Sequence, residues 1–232
     1  LKSGLRGSAA EQLSAIAGVS ALAAGPTCVG APALASLLDM LPELFVAAGH
    51  KKSKDVRDAA YACTCVLTDE QFMPPSATGI VIVHVFAALE PLCKWQTKVA
   101  ALKVLSNIAL YDLVAFQAEI ARKMTEIVPL VSALMWDSKK QVKGEATRAI
   151  KDCCAAIDNM DIEPFVPRLV SAINAPEEVP ECVHALASTT FVQTVDSSAL
   201  SITVPLLDRG FKERSTAIKR KCAVITENMA KL

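Results

Sequence analysis

Eight cysteines and three histidines are the residues of this 232-residue chain whose types could hold a metal or attack a substrate. The cysteines are Cys28, Cys63, Cys65, Cys93, Cys153, Cys154, Cys182 and Cys222. No two form a Cys-x-x-Cys pair, and their spacings match no zinc template. Cys63 and Cys65 would point to different faces of a helix, and adjacent Cys153 and Cys154 diverge as well. They read as reduced thiols serving as small helix residues. His50, His84 and His184 have no cysteine or acid at ligand spacing, and His84, in an apolar helix, reads as a partly buried packing residue. No motif places a serine on a strained strand-to-helix turn beside a histidine and an aspartate. No Gly-x-x-x-x-Gly-Lys-Ser/Thr loop is present to cradle phosphates. The expectation is therefore a binding module and not an enzyme. It has no catalytic, metal or cofactor-binding residue, and no small-molecule substrate.

Charge is the chemistry that remains. Lys+Arg and Asp+Glu both total 24, which excludes a chain-wide drive toward nucleic acid but not local patches. Residues 50–57 hold four cations, Lys51, Lys52, Lys54 and Arg57, against Asp55. Residues 204–221 hold six cations against two acids, and residues 158–181 hold six acids against Arg168. Solvated surface is the default for any one run; what matters is whether the fold gathers them.

The elements that would gather them are helices. Hydrophobic residues make up 52 % and aromatics only 5 %, so the core must be Ala, Leu, Val and Ile, which suits close helix packing. A repeat is visible in Val56-Arg57, Thr97-Lys98, Val142-Lys143, Val179 and Ile218-Lys219, spaced by 37 to 45 residues. Four residues after each anchor stands Ala60, Ala101, Ala146, Val183 or Cys222, one turn along the same face. Pro42, Pro129, Pro167 and Pro205 precede their anchors by 12 to 14 residues and are expected to kink the helices that hold them. In the unit that lacks this proline, His84 stands in its place.

The expected helices are 8–24, with Ser8 and Glu11 as a capping box and Gly25-Pro26 ending it. Then come the pairs 32–48 with 53–68, 77–89 with 94–110, 112–135 with 138–157, 161–174 with 177–192, and 197–210 with 213–231. Residues 80–86 are β-branched enough for a strand, but the repeat register makes them helical. A two-helix unit of this length is the HEAT or armadillo period. The expectation is an all-α HEAT-repeat solenoid of stacked antiparallel helix pairs, five pairs and a leading helix, in a single domain 1–232. The chain reads as a fragment of a longer protein. No apolar run is long enough to span a membrane, and nothing reads as a signal peptide.

Three stretches carry a family resemblance. They are Lys94-Trp95-Gln96-Thr97-Lys98; Met135 to Lys143, with Trp136-Asp137-Ser138-Lys139-Lys140 at its centre; and Asp158 to Pro167, continuing through Glu178 to His184, Thr190-Phe191-Val192 and Val204 to Gly210. The closing Ile218 to Lys221 and Glu227-Asn228-Met229 fit too. Together they closely resemble the N-terminal HEAT region of translation elongation factor 3, strongly from about Lys94 onward and in pattern only before it. The resemblance implies a cytoplasmic, ribosome-bound ABC-class ATPase that assists release of deacylated tRNA from the exit site. In that family the HEAT region docks on the ribosome, chiefly on small-subunit rRNA and ribosomal proteins, and ATP binds in cassettes further along the chain. The eight cysteines depart from the family pattern. Two other readings stay open: the HEAT segment of the ribosome-bound activator of the amino-acid-starvation kinase, and a generic protein-binding HEAT adaptor. The sequence beyond Leu232 would separate them, since only the first places two ATP-binding cassettes there.

Equivalent places in successive repeats put Lys51, Lys52, Lys54 and Arg57, then Lys94 and Lys98, then Lys139, Lys140 and Lys143 on one edge of the solenoid. These are the candidate contacts to RNA phosphates, which need only charge and reach. The acidic turn at 176–181 would bound them, with a basic turn at 209–214 beyond. An alternative for the basic residues is a ladder between neighbouring units, Asp137 with Lys143 and Asp208 with Lys219. Trp95 and Trp136 flank charged turns; exposed, they would stack on RNA bases. Burial between units is the preferred reading, because the chain has few other aromatics to fill its core.

Overall fold

The computed structural model describes residues 1–25 and 31–232, so Pro26 and Cys28 lie outside the described residues. Among the described residues there are twelve α-helices and no strand. A leading helix α1 (Ala9–Ala24) is followed by α2 (Ala31–Leu38) and α3 (Leu41–Ala48), which turn back into α4 (Lys54–Leu67). Then come the pairs α5 (Thr78–Ala88) with α6 (Trp95–Ala109), α7 (Val114–Leu134) with α8 (Lys140–Cys153), α9 (Val166–Asn174) with α10 (Val179–Ala187), and α11 (Ser197–Lys212) with α12 (Thr216–Ala230). Each second helix packs on the first helix of its pair. Residues 80–86 are helical, as the register requires.

Local chemistry sets the boundaries. Ser8 and Glu11 form the reciprocal capping box of α1, with Ser8 N–H donating to Glu11 Oε2 at 2.6 Å. Ser53, Asp196 and Ser215 cap α4, α11 and α12 through their side-chain oxygens, each satisfying an N–H that the first turn leaves without a partner. The prolines divide into two kinds. Pro129 and Pro205 lie inside α7 and α11, where a backbone donor is lost mid-ladder. Pro42 and Pro167 instead occupy the first turns of α3 and α9, where that donor has no partner in any case. The expected single helix over 32–48 is therefore two, parted at Asp39 and Met40.

The expected helix over 177–192 also stops early, at Ala187. The hydroxyls of Ser188 and Thr189 turn back on carbonyls of His184 and Ala185, a local alternative to further helix. Beyond them the backbone N–H groups of Val192 and Gln193 donate to Asp161 Oδ2 at 2.7 and 2.8 Å. This staples the α8–α9 connection to the α10–α11 connection. The backbone donors of Gln193 and then Val192 hold the Asp161 carboxyl below its ordinary range. A lowered pKa stabilises the fold above the unfolded value near 3.9 and ceases to do so as pH falls through the lowered one. The Val192 and Gln193 amides are expected to be protected from hydrogen exchange at neutral pH. They should become exchangeable in Asp161→Asn without global unfolding, read by exchange at single-residue resolution.

The repeat anchors form the core. Val56, Val142 and the residues one turn on, Ala60, Ala101, Ala146, Val183 and Cys222, are all 0 % exposed. The buried apolar side chains form one continuous cluster from Leu5 to Ile225. The stack is irregular where α9 and α10 are short: the 21-residue α7 lies directly against α11. On its other side Gly210 lets α11 approach α12 and α10 closely, since a Cβ there would stand 2.4 Å from Cys222 Sγ and 3.3 Å from Val183 Cγ2.

Six of the described cysteines lie on helical turns, as expected; Cys93 instead lies in the turn between α5 and α6. Seven thiols are described and none is bridged; Cys63, Cys153, Cys154, Cys182 and Cys222 are buried. Burial pushes Cys154 up to about 12 and Cys182 up to about 11, and raises Cys153 well above the ordinary thiol value. A neutral thiol is a poor nucleophile. Of these seven, only Cys65 and Cys93 are expected to react with iodoacetamide in the native protein at neutral pH, with the five buried thiols labelled only on unfolding.

Candidate nucleic-acid interface

Three turns carry the nine candidate cations. The first joins α3 to α4 through His50, Lys51, Lys52 and Ser53. Ser53 N–H donates to His50 Nδ1 at 2.9 Å, and Arg57 Nη1 reaches back to the carbonyls of His50 and Ser53 at 3.0 and 3.2 Å. Arg57 thus fixes the turn and is half-buried, while Lys51, Lys52 and Lys54 are exposed. The second turn leads into α6. Exposed Lys94 donates from Nζ to the Gly49 carbonyl at 3.3 Å, and Thr97 Oγ1 donates to the Phe45 carbonyl at 3.0 Å. A Cβ at Gly49 would lie 2.4 Å from Thr97 Oγ1, so glycine permits this junction.

Lys98 departs from expectation as a surface contact. It is 7 % exposed, and its ammonium lies 3.7 Å from Asp137 Oδ2 in the third turn. A ladder between neighbouring units therefore exists, but Asp137 pairs with the anchor of the preceding unit and not with Lys143. Asp208 likewise pairs with Lys212 on its own helix, not with Lys219. In the third turn Asp137 Oδ1 also accepts the Lys139 N–H at 2.8 Å. Lys139, Lys140 and Lys143 are exposed. These junctions set the three turns side by side along one edge. Among the described residues, none of Lys51, Lys52, Lys54, Lys139, Lys140 and Lys143 has a carboxylate partner.

The tryptophans correct the burial reading. Trp136 is 53 % exposed and Trp95 36 %. The core position at the end of α7 belongs to Met135, at 0 % exposure, which leaves the next side chain to face solvent. Lys143 Nζ sits 5.7 Å from the Trp136 ring centroid, a cation–π contact of about 0.5–1 kcal/mol at an exposed site. The basic turn at 209–214 is largely consumed internally. Arg209 Nη1 donates to the Ala172 and Ile173 carbonyls at 2.8 and 2.9 Å near the C-terminus of α9, where a cation is favoured. The acidic turn stands as expected, with Glu177, Glu178 and Glu181 exposed.

Two family models match, one described as the EF3 N-terminal HEAT repeat over residues 2–150 and one as the elongation factor 3/GNC1 HEAT repeat over residues 177–232. The chain belongs to the elongation factor 3 N-terminal HEAT-repeat family. Elongation factor 3 of Candida glabrata is 43 % identical over 84 % of this chain, and that of Phytophthora infestans 41 % identical over 87 %. The chain spans 18 % of the length of each relative. Among solved structures, a designed armadillo repeat protein matches at a TM-score of 0.43 and 17 % identity, covering 98 % of this chain and 97 % of the other. The family match extends from residue 2, well before Lys94, where the stretches that carry the resemblance begin. Among the described residues, no helix is long and apolar enough to cross a membrane.

Proposed function

We propose that this HEAT region is a ribosome-docking scaffold of an elongation factor 3-like protein, holding the factor in place during elongation and exit-site tRNA release. One observation carries the reading: of three turns from successive repeats that lie on one edge, the first and third present six exposed lysines with no carboxylate partner among the described residues. Exposed lysines on flexible stems suit the irregular phosphate surface of folded rRNA, where charge positions the protein without reading sequence. Lys94 adds its charge to the same edge, because its hydrogen bond to the Gly49 carbonyl is to a neutral acceptor. Arg57 shapes the first turn, and Lys98 holds the third. The acidic turn at Glu177, Glu178 and Glu181 marks the limit of the footprint or faces a basic ribosomal protein. ATP binding belongs to cassettes elsewhere in the full-length protein. Sedimentation of the chain with purified ribosomal subunits tests the proposal. Retention on small subunits at low salt is the expected result; a chain that stays in the supernatant with both subunits overturns it.

A further inference from the structure

The third turn holds an aromatic ring that the fold leaves uncovered. Trp136 is 53 % exposed, in a chain with few aromatics to spend. It does not lie at an open end of the stack. The helix that follows it, α8, already packs against α6 on one side and α9 on the other, so the ring is not waiting for a further repeat. The backbone around it is held. Trp136 N–H donates to the Ala133 carbonyl at 3.3 Å, and Asp137 N–H to the Leu134 carbonyl at 3.0 Å. Met135 on one side is fully buried. Asp137 on the other accepts the Lys139 N–H and pairs with buried Lys98. A ring fixed on such a base loses little further freedom when a ligand meets it.

The charge around the ring narrows the class of ligand. Lys143 Nζ stands 5.7 Å from the ring centroid, and Lys139 and Lys140 are exposed in the same turn. Among the described residues none of the three has a carboxylate partner. The neighbouring acids are engaged elsewhere, Asp137 by Lys98 and Glu145 by Lys103 at 3.9 Å. The site therefore joins an open π-face to three uncompensated cations. An acidic peptide would satisfy the cations but brings no flat face. A nucleotide brings both.

We propose that Trp136 is a stacking platform for an unpaired base of RNA, with Lys139, Lys140 and Lys143 holding the neighbouring phosphates. Bases in single-stranded loops are free to splay out and stack on aromatic side chains. Stacking tolerates any sequence, because every base has a π-face. The inference rests on the RNA-docking reading of this edge and adds to it a contact that is not ionic.

Trp95 and Trp136 are the only tryptophans, so Trp95→Phe leaves Trp136 as the sole indole emitter. The probes are a heptamer of riboadenylate and an abasic heptamer of the same length and charge, both at low salt. Riboadenylate is expected to quench Trp136 emission and to bind at least about fivefold tighter than the abasic probe, the lower end for stacking on one aromatic side chain. With end-labelled probes read by anisotropy, Trp136→Ala and Trp136→Leu are expected to bring that ratio to about one, and Trp136→Phe to keep most of it. The salt slope should be the same in all three, since no phosphate contact is lost. Equal binding of the two probes with undiminished salt dependence overturns the platform and leaves phosphate docking standing. Binding of neither probe also overturns the platform, while sedimentation with ribosomal subunits reads the docking separately. If the probes are not discriminated, yet Trp136→Ala weakens ribosome binding and Trp136→Leu restores it, the ring belongs to an apolar contact with a ribosomal protein and the platform is likewise overturned.

Discussion

Asp137→Ala is expected to destabilise the chain by about 3 kcal/mol, the scale for removing one partner of a buried ion pair. The asymmetry of the pair is the reason. Asp137 accepts the Lys139 N–H and forms an ion pair with the Lys98 ammonium at 3.7 Å, and the Lys98 side chain is only 9 % exposed. Truncation leaves that buried ammonium without its counter-charge. Lys98→Met is the contrast. It removes the buried charge, keeps the stem, and leaves Asp137 its backbone donor, so it is expected to cost little, as apolar replacement of a buried charge often does. For a chain of this size, 3 kcal/mol lowers the melting temperature by roughly 6–12 °C. Solenoid units couple through neighbouring interfaces, so the loss should appear first as early melting around α6 and α8. Equal melting of Asp137→Ala and wild type would mean that the ladder between the second and third pairs does not bear on stability.

What the sequence made legible is the part governed by period. Val56, Thr97, Val142 and Val179 recur with the repeat, and the side chains one turn on are fully buried. The same register settled residues 80–86, where β propensity alone misleads, because a buried helix and a buried strand share an apolar composition. What stayed hidden depends on pairing across the fold. No spacing rule joins Lys98 to Asp137, Arg209 to the end of α9, or Arg6 to Glu43; each meets its partner only once the units stack. Arg57 and Lys98 carry the same charge as their neighbours in sequence, yet one braces a turn and the other is buried. For Trp136 residue type argues for burial, while its place after Met135 at the end of α7 decides exposure.

The larger functional effect is expected from replacing Lys51, Lys52, Lys54, Lys139, Lys140 and Lys143 together with alanine. All six are exposed, so the fold should persist, as unchanged helicity by circular dichroism would verify. Each phosphate left without its lysine lowers the log–log salt slope of binding by roughly one. The six together should lower it by about five to six and make ribosome binding undetectable at physiological salt. Lys219, Arg220 and Lys221 replaced in the same way should leave the slope nearly unchanged, because α12 lies beyond the acidic turn. Lys94→Ala alone should take off about one, since its ammonium is already oriented by Gly49.

Lysine acetylation footprinting on the assembled ribosome tests the docking edge most directly, because it reads each ammonium in the unaltered protein. The chain bound to ribosomes is labelled in parallel with the unbound chain, and each lysine is quantified by mass spectrometry. Lys51, Lys52, Lys54, Lys139, Lys140 and Lys143 are predicted to lose most of their reactivity on binding. Lys98, buried against Asp137, should be unreactive in both states, and Lys219 on α12 should react equally in both. Undiminished labelling of the six turn lysines, with protection appearing on α12 or elsewhere, would contradict the docking edge and move the ribosome-facing surface to another face of the solenoid.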